Sequence, residues 1–73
     1  MFYTVLEIQE DASGNRTCIP VIYTDSDSAL AKLYTILAAA AQSAIPYHSG
    51  HILRSDGIVT DGRVFDRRGS NGD

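Results

Sequence analysis

A helix predicted at residues 24–45 carries more apolar surface than a chain of 73 residues can cover alone. At about 100° per residue, its apolar side chains fill an arc of roughly 220°, whereas an ordinary surface helix needs little more than ~100°. The arc consists of Ala29, Leu30, Ala31, Leu33, Tyr34, Ile36, Leu37, Ala38, Ala40, Ala41 and Ala44. One face of the helix is expected to pack on a sheet of the same chain and the other on a second copy or another protein. We therefore predict a homo-oligomer, dimeric or larger, whose contact consists of Leu30, Tyr34, Leu37, Ala38 and Ala41.

The ends of this helix carry recognisable signals. Thr24 with Asp27 three residues later resembles a capping box, and Ser26 is an alternative N-cap. Pro46 should end the helix, because the residue before a proline avoids the helical conformation.

Strand signals flank the helix on both sides, and four strands are predicted, at residues 2–9, 17–23, 47–54 and 58–67. Turn-forming residues at 11–15 and 55–57 predict that each pair of strands forms a hairpin. Pro20 lacks a backbone N–H, which places its strand at an edge or at a bulge. Asp61-Gly62 is itself a turn dipeptide, so the last segment is either one bulged strand or two short arms.

These elements predict an α+β fold of the order ββαββ, with the helix packed across one face of a four-stranded antiparallel sheet. On the first strand, the predicted core face is the one that carries Phe2, Thr4, Leu6 and Ile8. Residues 1–67 are expected to form a single domain, and residues 68–73 a disordered tail.

Composition narrows the class of protein. One cysteine, Cys18, excludes an intrachain disulfide, and neither a signal peptide nor an apolar run of ~18 residues is visible, so we expect a cytoplasmic protein with no membrane contact. The formal net charge of −3 argues against duplex nucleic acid as a partner, although the arginines near the C-terminus could still hold a small anion.

No catalytic or metal motif stands out. His48 and His51 are three residues apart on a predicted strand and therefore point to opposite faces, which argues against a shared zinc ion. No serine has a recognisable base and orienting group, and Glu7 and Glu10 face different ways. We expect a protein that is not an enzyme and that needs no cofactor.

The predicted ligand-binding site is the junction after the helix, and its members are Gln42, Ser43, Tyr47, His48, Ser49 and Arg54. It gathers amide, hydroxyl, imidazole and guanidinium donors with an aromatic ring, as a nucleotide-like ligand requires. Replacement of Arg54 by alanine is predicted to abolish ligand binding. In the alternative interpretation, the same residues only complete the helix end, the rim of the core and the sheet surface.

Three stretches carry a resemblance, namely the opening Phe-Tyr-Thr-Val-Leu-Glu-Ile-Gln, the helix end Ala-Ala-Ala-Ala-Gln-Ser-Ala-Ile-Pro-Tyr-His-Ser and the hairpin Leu-Arg-Ser-Asp-Gly. With them, the chain resembles small phage and prophage accessory proteins of Gram-positive gut bacteria. The resemblance implies an anti-defence protein in the host cytoplasm, such as an oligomeric sponge that sequesters a nucleotide-type immune signal.

Two other functions remain open from the sequence. A protein-binding inhibitor of a host defence nuclease, similar to an anti-CRISPR protein, would mimic nucleic-acid phosphates with its acidic residues, which are Glu7, Glu10, Asp11, Asp25 and Asp27. A small virion structural or assembly protein would use the apolar helix as a seam between copies.

Overall fold

The computed structural model describes residues 1–68 of the chain. Its elements are β1 (Tyr3–Glu10), β2 (Arg16–Tyr23), α1 (Ser26–Gln42), β3 (Tyr47–Arg54) and β4 (Val59–Asp66). All strand pairs are antiparallel in a single sheet of order β2-β1-β3-β4, and α1 packs across one face. The predicted ββαββ fold is therefore confirmed, and β2, which contains Pro20, is an edge strand.

Both hairpin turns rest on glycines whose backbone φ is positive. Gly14 has a φ of +87° and Gly57 a φ of +90°, a conformation that costs glycine less than other residues. In the first turn, Oδ1 of Asp11 accepts hydrogen bonds from the backbone N–H groups of Ser13 and Asn15, both at 2.9 Å. The turn residues identified in the sequence therefore form the two hairpins that were predicted.

The helix begins at a different cap from either one predicted. Asp25 has an extended backbone, and its Oδ2 accepts a hydrogen bond from the N–H of Ser28 at 2.8 Å. Neither Thr24 nor Ser26 is the cap, because Thr24 precedes the capping residue and Ser26 already lies inside the helix. At the C-terminal end of the helix, the N–H of Ser43 donates a hydrogen bond to the carbonyl of Ala40 at 3.2 Å. The helix thus ends before Pro46 and is shorter than the predicted range.

The core lies on the opposite face of β1 from the one predicted. Its buried cluster consists of Val5, Ala29, Leu33, Ile36 and Ile52. By contrast, Leu6 and Ile8 lie on the far face of the sheet, meaning the face away from α1, and both are only half-buried. The prediction was wrong because Glu7 lies on the same face as Val5, and a charged residue made that face look solvent-exposed. In the structure, the Glu7 carboxylate lies 2.7 Å from Nε2 of His48, beside the helix.

The last strand is continuous and bulged. Its register with β3 shifts by one residue near Ile52 and Leu53, so the segment is one strand and Asp61-Gly62 is not a turn. Arg68, the first residue of the predicted tail, is held by ion pairs to Glu10 and Asp66. The remainder of that predicted tail, residues 69–73, lies outside the described residues.

Candidate functional site

A pocket opens on the far face of the sheet, at the end where the chain leaves β1. The β1 register places Glu10 opposite both Arg16 of β2 and Tyr47 of β3. Arg68 reaches the same place from the end of β4. We call this site the Tyr47 pocket; its lining residues are Ile8, Glu10, Arg16, Tyr47 and Arg68, and its volume is about 360 Å³.

Charged groups hold the pocket together. The Arg68 guanidinium lies 4.5 Å from the centre of the Tyr47 ring. It donates hydrogen bonds to Glu10 at 3.0 Å and to Asp66 at 2.9 Å, while Nε of Arg16 donates to the other Glu10 oxygen. The cluster of two guanidinium and two carboxylate groups is therefore internally neutralised.

The same contacts shift the pKa values of the carboxyl groups. Hydrogen bonds from Arg16 and then Arg68 hold the pKa of Glu10 below its ordinary value. Hydrogen bonds from Arg68 lower the pKa of Asp66 to about 2, and the pKa of Arg68 is raised mainly by its bond to Asp66. Glu10, Asp66 and Arg68 are therefore charged at neutral pH.

The pocket has the dimensions and the chemistry of a site for a small ligand. Its volume lies within the range of roughly 300–1,000 Å³ that is typical of ligand pockets. A tyrosine ring can stack on a base, a guanidinium can bind a phosphate, and a carboxylate can accept hydrogen bonds from base amino groups. The site predicted from the sequence combined Tyr47 with the guanidinium of Arg54 and contained no carboxylate, whereas the structure surrounds Tyr47 with Glu10, Arg16 and Arg68.

The six predicted ligand residues do not converge on this pocket. Tyr47 lines it, but Arg54 is seven residues further along β3, roughly 23 Å away at ~3.3 Å per residue. There the guanidinium of Arg54 forms an ion pair with Asp56. Gln42 is exposed at the end of α1, and the hydroxyl of Ser43 accepts a hydrogen bond from the N–H of Ile45 at 3.0 Å.

His48 and Ser49 are buried on opposite faces of β3. His48 is 3% exposed on the helix side, with Nε2 2.7 Å from the carboxylate of Glu7, while Gln9 donates to the same oxygen at 3.1 Å. Ser49 is fully buried on the far face, with its hydroxyl 3.1 Å from Nε2 of His51. In these positions, His48 and Ser49 serve the sheet rather than the pocket.

Beside His48, two opposing effects act on the Glu7 carboxyl. Partial burial is the largest single effect, and it raises the pKa of Glu7. This effect is outweighed by hydrogen bonds from His48 and Gln9 together with the charges of His48 and Lys32, all of which lower the pKa. The net result is a pKa below the ordinary value, so Glu7 is ionised under the helix at neutral pH.

The two histidines point to opposite faces, as predicted from their spacing. His48 is directly opposite Gln9 in the register and His51 is opposite Leu6. Within residues 1–68, no three His, Cys, Asp or Glu side chains come together in a way that could hold a metal ion. Glu7 and Glu10 likewise lie on different faces and do not form an acid–base pair.

Part of the predicted contact between copies lies on the exposed side of the helix. Tyr34 is 61% exposed, and Ala38 and Ala41 are also exposed. Leu30 and Leu37 instead pack against the core of their own chain. The helix surface available to a partner is therefore narrower than the predicted one, and it is centred on Tyr34.

Most of the acidic residues proposed for phosphate mimicry have partners within the chain. Glu7 binds His48, Glu10 binds two arginines, Asp11 closes the first turn and Asp25 caps α1. These four carboxylates lie on the two faces of the sheet, in the first hairpin turn and at the N-terminus of α1. They do not form one acidic surface.

The sequence contains a signal for part of the missed pocket. Glu10 and Arg16 flank the first hairpin turn, so antiparallel pairing must place them opposite one another. Arg68 was missed because it was assigned to the tail, and its approach to Tyr47 depends on the position of β4 beside β3.

Comparison with known proteins adds no relative: no family model, curated protein or solved structure matches the chain. No helix among the described residues is both long enough and apolar enough to span a bilayer.

Proposed function

We propose that this protein is a phage-derived, non-enzymatic binding protein that antagonises host defence in the host cytoplasm. It acts as a homo-oligomeric sponge that sequesters a nucleotide-type immune signal, and the Tyr47 pocket is its ligand site. The observation that carries this proposal is the contact of the Arg68 guanidinium with the Tyr47 ring inside a pocket of about 360 Å³.

A nucleotide would enter this pocket by exchanging one set of polar contacts for another. Glu10 lies between Arg16 and Arg68, and Asp66 also binds Arg68, so a phosphate must compete with these carboxylates for a guanidinium. When Arg68 moves from the Tyr47 ring to the phosphate, the ring can stack on the base, and the released Glu10 can accept hydrogen bonds from the base amino groups. Because the charges of the cluster already neutralise one another, a simple anion gains little by binding there. A ligand that also carries an aromatic ring gains stacking on Tyr47 as well.

Titration calorimetry with ATP, GTP and cyclic di-AMP as probes tests the site. Tyr47→Ala should weaken binding by about tenfold or more, because stacking on an aromatic side chain contributes roughly 1–3 kcal/mol per base. Arg68→Ala should weaken it as well, whereas Glu10→Gln should strengthen binding of phosphate-bearing probes, because it removes the carboxylate that competes for Arg16 and one of the two that bind Arg68.

Two variants serve as controls. Tyr47→Phe keeps the ring and should retain affinity, and Arg54→Ala should leave binding unchanged, because Arg54 is at the other end of β3. This reverses the expectation drawn from the sequence for Arg54. Equal affinity of the wild type and Tyr47→Ala, or loss of affinity in Arg54→Ala alone, would contradict the assignment of the pocket.

A native mass spectrum identifies the physiological ligand. The protein is incubated with lysate of cells whose nucleotide-signalling defence is active, and the retained small-molecule mass is compared between the wild type and Tyr47→Ala. A retained mass that is absent from the variant supports the sponge. Retention of no small molecule by the wild type would contradict it.

The nuclease inhibitor and the virion protein are less well supported by the geometry. Phosphate mimicry requires carboxylates that are free to face a basic enzyme, and four of the five candidates are bound within the chain. A seam between copies is compatible with the exposed helix surface around Tyr34, but it leaves the Tyr47 pocket without a role.

A further inference from the structure

The two edges of the sheet differ in how open they are to another strand. The β2 edge contains Pro20, which cannot donate a ladder hydrogen bond. The β4 edge contains no proline, and no strand of residues 1–68 pairs with its outer side. An open edge of this kind is a template for another strand unless something covers it.

One hydrogen bond determines which backbone groups of β4 point outward. The N–H of Arg67 donates to the carbonyl of Pro46 at 2.6 Å, so these two residues form a hydrogen-bonded pair. Such pairs alternate along an antiparallel ladder. Residues 61, 63 and 65 therefore bond to β3, whereas Gly62, Val64 and Asp66 direct their N–H and C=O groups away from the sheet.

We propose that two copies of this chain pair through their β4 strands, antiparallel and across a two-fold axis at Val64. The regularly paired segment, residues 61–67, begins after the bulge, includes Arg67 one residue beyond β4, and is centred on Val64. Pairing about this centre joins Gly62 to Asp66 of the second copy, Val64 to its own equivalent, and Asp66 to Gly62. The three pairs contribute roughly six backbone hydrogen bonds and produce one continuous sheet of both copies.

The side chains of this segment complement one another across the axis. Asp61 lies opposite Arg67 of the second copy, which places opposite charges at each end of the contact. Arg63, whose guanidinium lies 4.9 Å from the ring centre of Phe65 in its own chain, faces Phe65 of the second copy. Arg67 also donates to the carbonyls of Ala40, Ala41 and Ile45 within its own chain, so its complementarity to Asp61 is one of opposite charge at facing strand positions.

Neighbouring registers fit less well. A shift that centres the pair on Arg63 places two like charges directly opposite each other, which destabilises a strand pair. A shift that centres it on Gly62 brings the irregular part of the strand around Thr60 into the ladder. At the preferred centre, the exposed Val64 side chains meet each other on the far face. This contact is separate from the helix surface around Tyr34 and does not depend on ligand binding.

Sedimentation measurements with matched variants test the pairing. Val64→Pro removes the outward N–H at the centre of the contact without removing a bond to β3, and it should halve the mass of the assembly. Val64→Thr keeps the N–H and the strand propensity, so its mass should equal that of the wild type. Asp61→Lys, which places two cations opposite each other, should weaken self-association at least tenfold.

Amide hydrogen exchange of the wild type provides a measurement that does not depend on folding of a variant. If the strands pair, the amides of Gly62, Val64 and Asp66 are protected at high protein concentration and lose protection on dilution. Rapid exchange of all three at every concentration would overturn the proposal. It would also be overturned if Ala38→Glu on the helix gave a monomer while Val64→Pro kept the wild-type mass, because the copies would then meet through the helix alone.

Discussion

Gly50 allows the helix to approach the sheet closely. It lies on β3 directly under α1, opposite Glu7 in the register. A Cβ at this position would be 2.9 Å from Cδ1 of Leu33 and 3.0 Å from Cγ2 of Ile36. Since real Cβ atoms do not come this close to their neighbours, any other residue must displace the helix or the two core side chains.

We expect Gly50→Ala to lower the free energy of unfolding by about 1–3 kcal/mol, the usual cost of overpacking a core. Urea denaturation followed by circular dichroism measures it. The double variant Gly50→Ala/Leu33→Val should be destabilised by less than the sum of the single changes, because the shorter valine leaves room for the new methyl group. Additive effects would show that Leu33 does not limit the space at Gly50.

The helix illustrates how its ends and faces are determined by different contacts. Asp25 caps the N-terminus through Ser28, and Arg67 from beyond β4 donates to carbonyls in the last turn. On its buried side, α1 places Ala29, Leu33, Ile36 and Ala40 against the sheet. This buried stripe is the ordinary one for a surface helix, so the unusual width of the apolar arc resides in the exposed remainder.

Replacement of the cap tests the observed helix start. Asp25→Ala should lower the free energy of unfolding by about 1 kcal/mol, because the N–H of Ser28 loses its acceptor. Thermal unfolding in the same buffer compares it with Thr24→Ala, which should change stability by less than ~0.5 kcal/mol. A larger loss in Thr24→Ala than in Asp25→Ala would instead support the capping box predicted from the sequence.

Over the described chain, six carboxyl groups have pKa values below the ordinary 4.5 of Glu or 3.8 of Asp. They are Glu7, Glu10, Asp11, Asp25, Asp56 and Asp66. At acidic pH the unfolded chain therefore binds more protons than the folded one. These groups stabilise the fold above the ordinary carboxyl pKa, and their contribution is lost as pH falls through the folded values.

Stability should accordingly show no carboxyl-dependent loss from neutral pH down to the ordinary carboxyl pKa, and then fall steadily towards the Asp66 pKa of about 2. Melting temperatures recorded across this range measure the effect. Asp66→Asn should be less stable at neutral pH and lose less on acidification, because it no longer has a carboxylate to protonate next to Arg68. A melting temperature that is constant down to pH ~2 would contradict the lowered pKa values.

Much of the candidate site could not be predicted from the sequence, for reasons visible in particular residues. The pairing of Glu10 with Arg16 follows from a local hairpin and could be predicted from the sequence. The position of Tyr47 beside them requires β3 to pair with β1, a contact between segments that are distant in sequence. Arg54 was placed in the same predicted site as Tyr47 for its guanidinium, but the two lie at opposite ends of β3, and an extended strand separates its ends by most of the length of the sheet.

Local signals in the sequence were sufficient for the element order, both hairpin turns and the opposite orientation of the two histidines, and Pro20 restricted β2 to an edge or a bulge. These features depend on alternation, turn residues and proline geometry, which act within a few residues. The core face of β1, the strand order and the approach of Arg68 to Tyr47 were decided by the tertiary structure. They depend on which distant segment neutralises a charge or fills a space, and Glu7 shows why: its face could become the core only because His48 lies opposite to bind it.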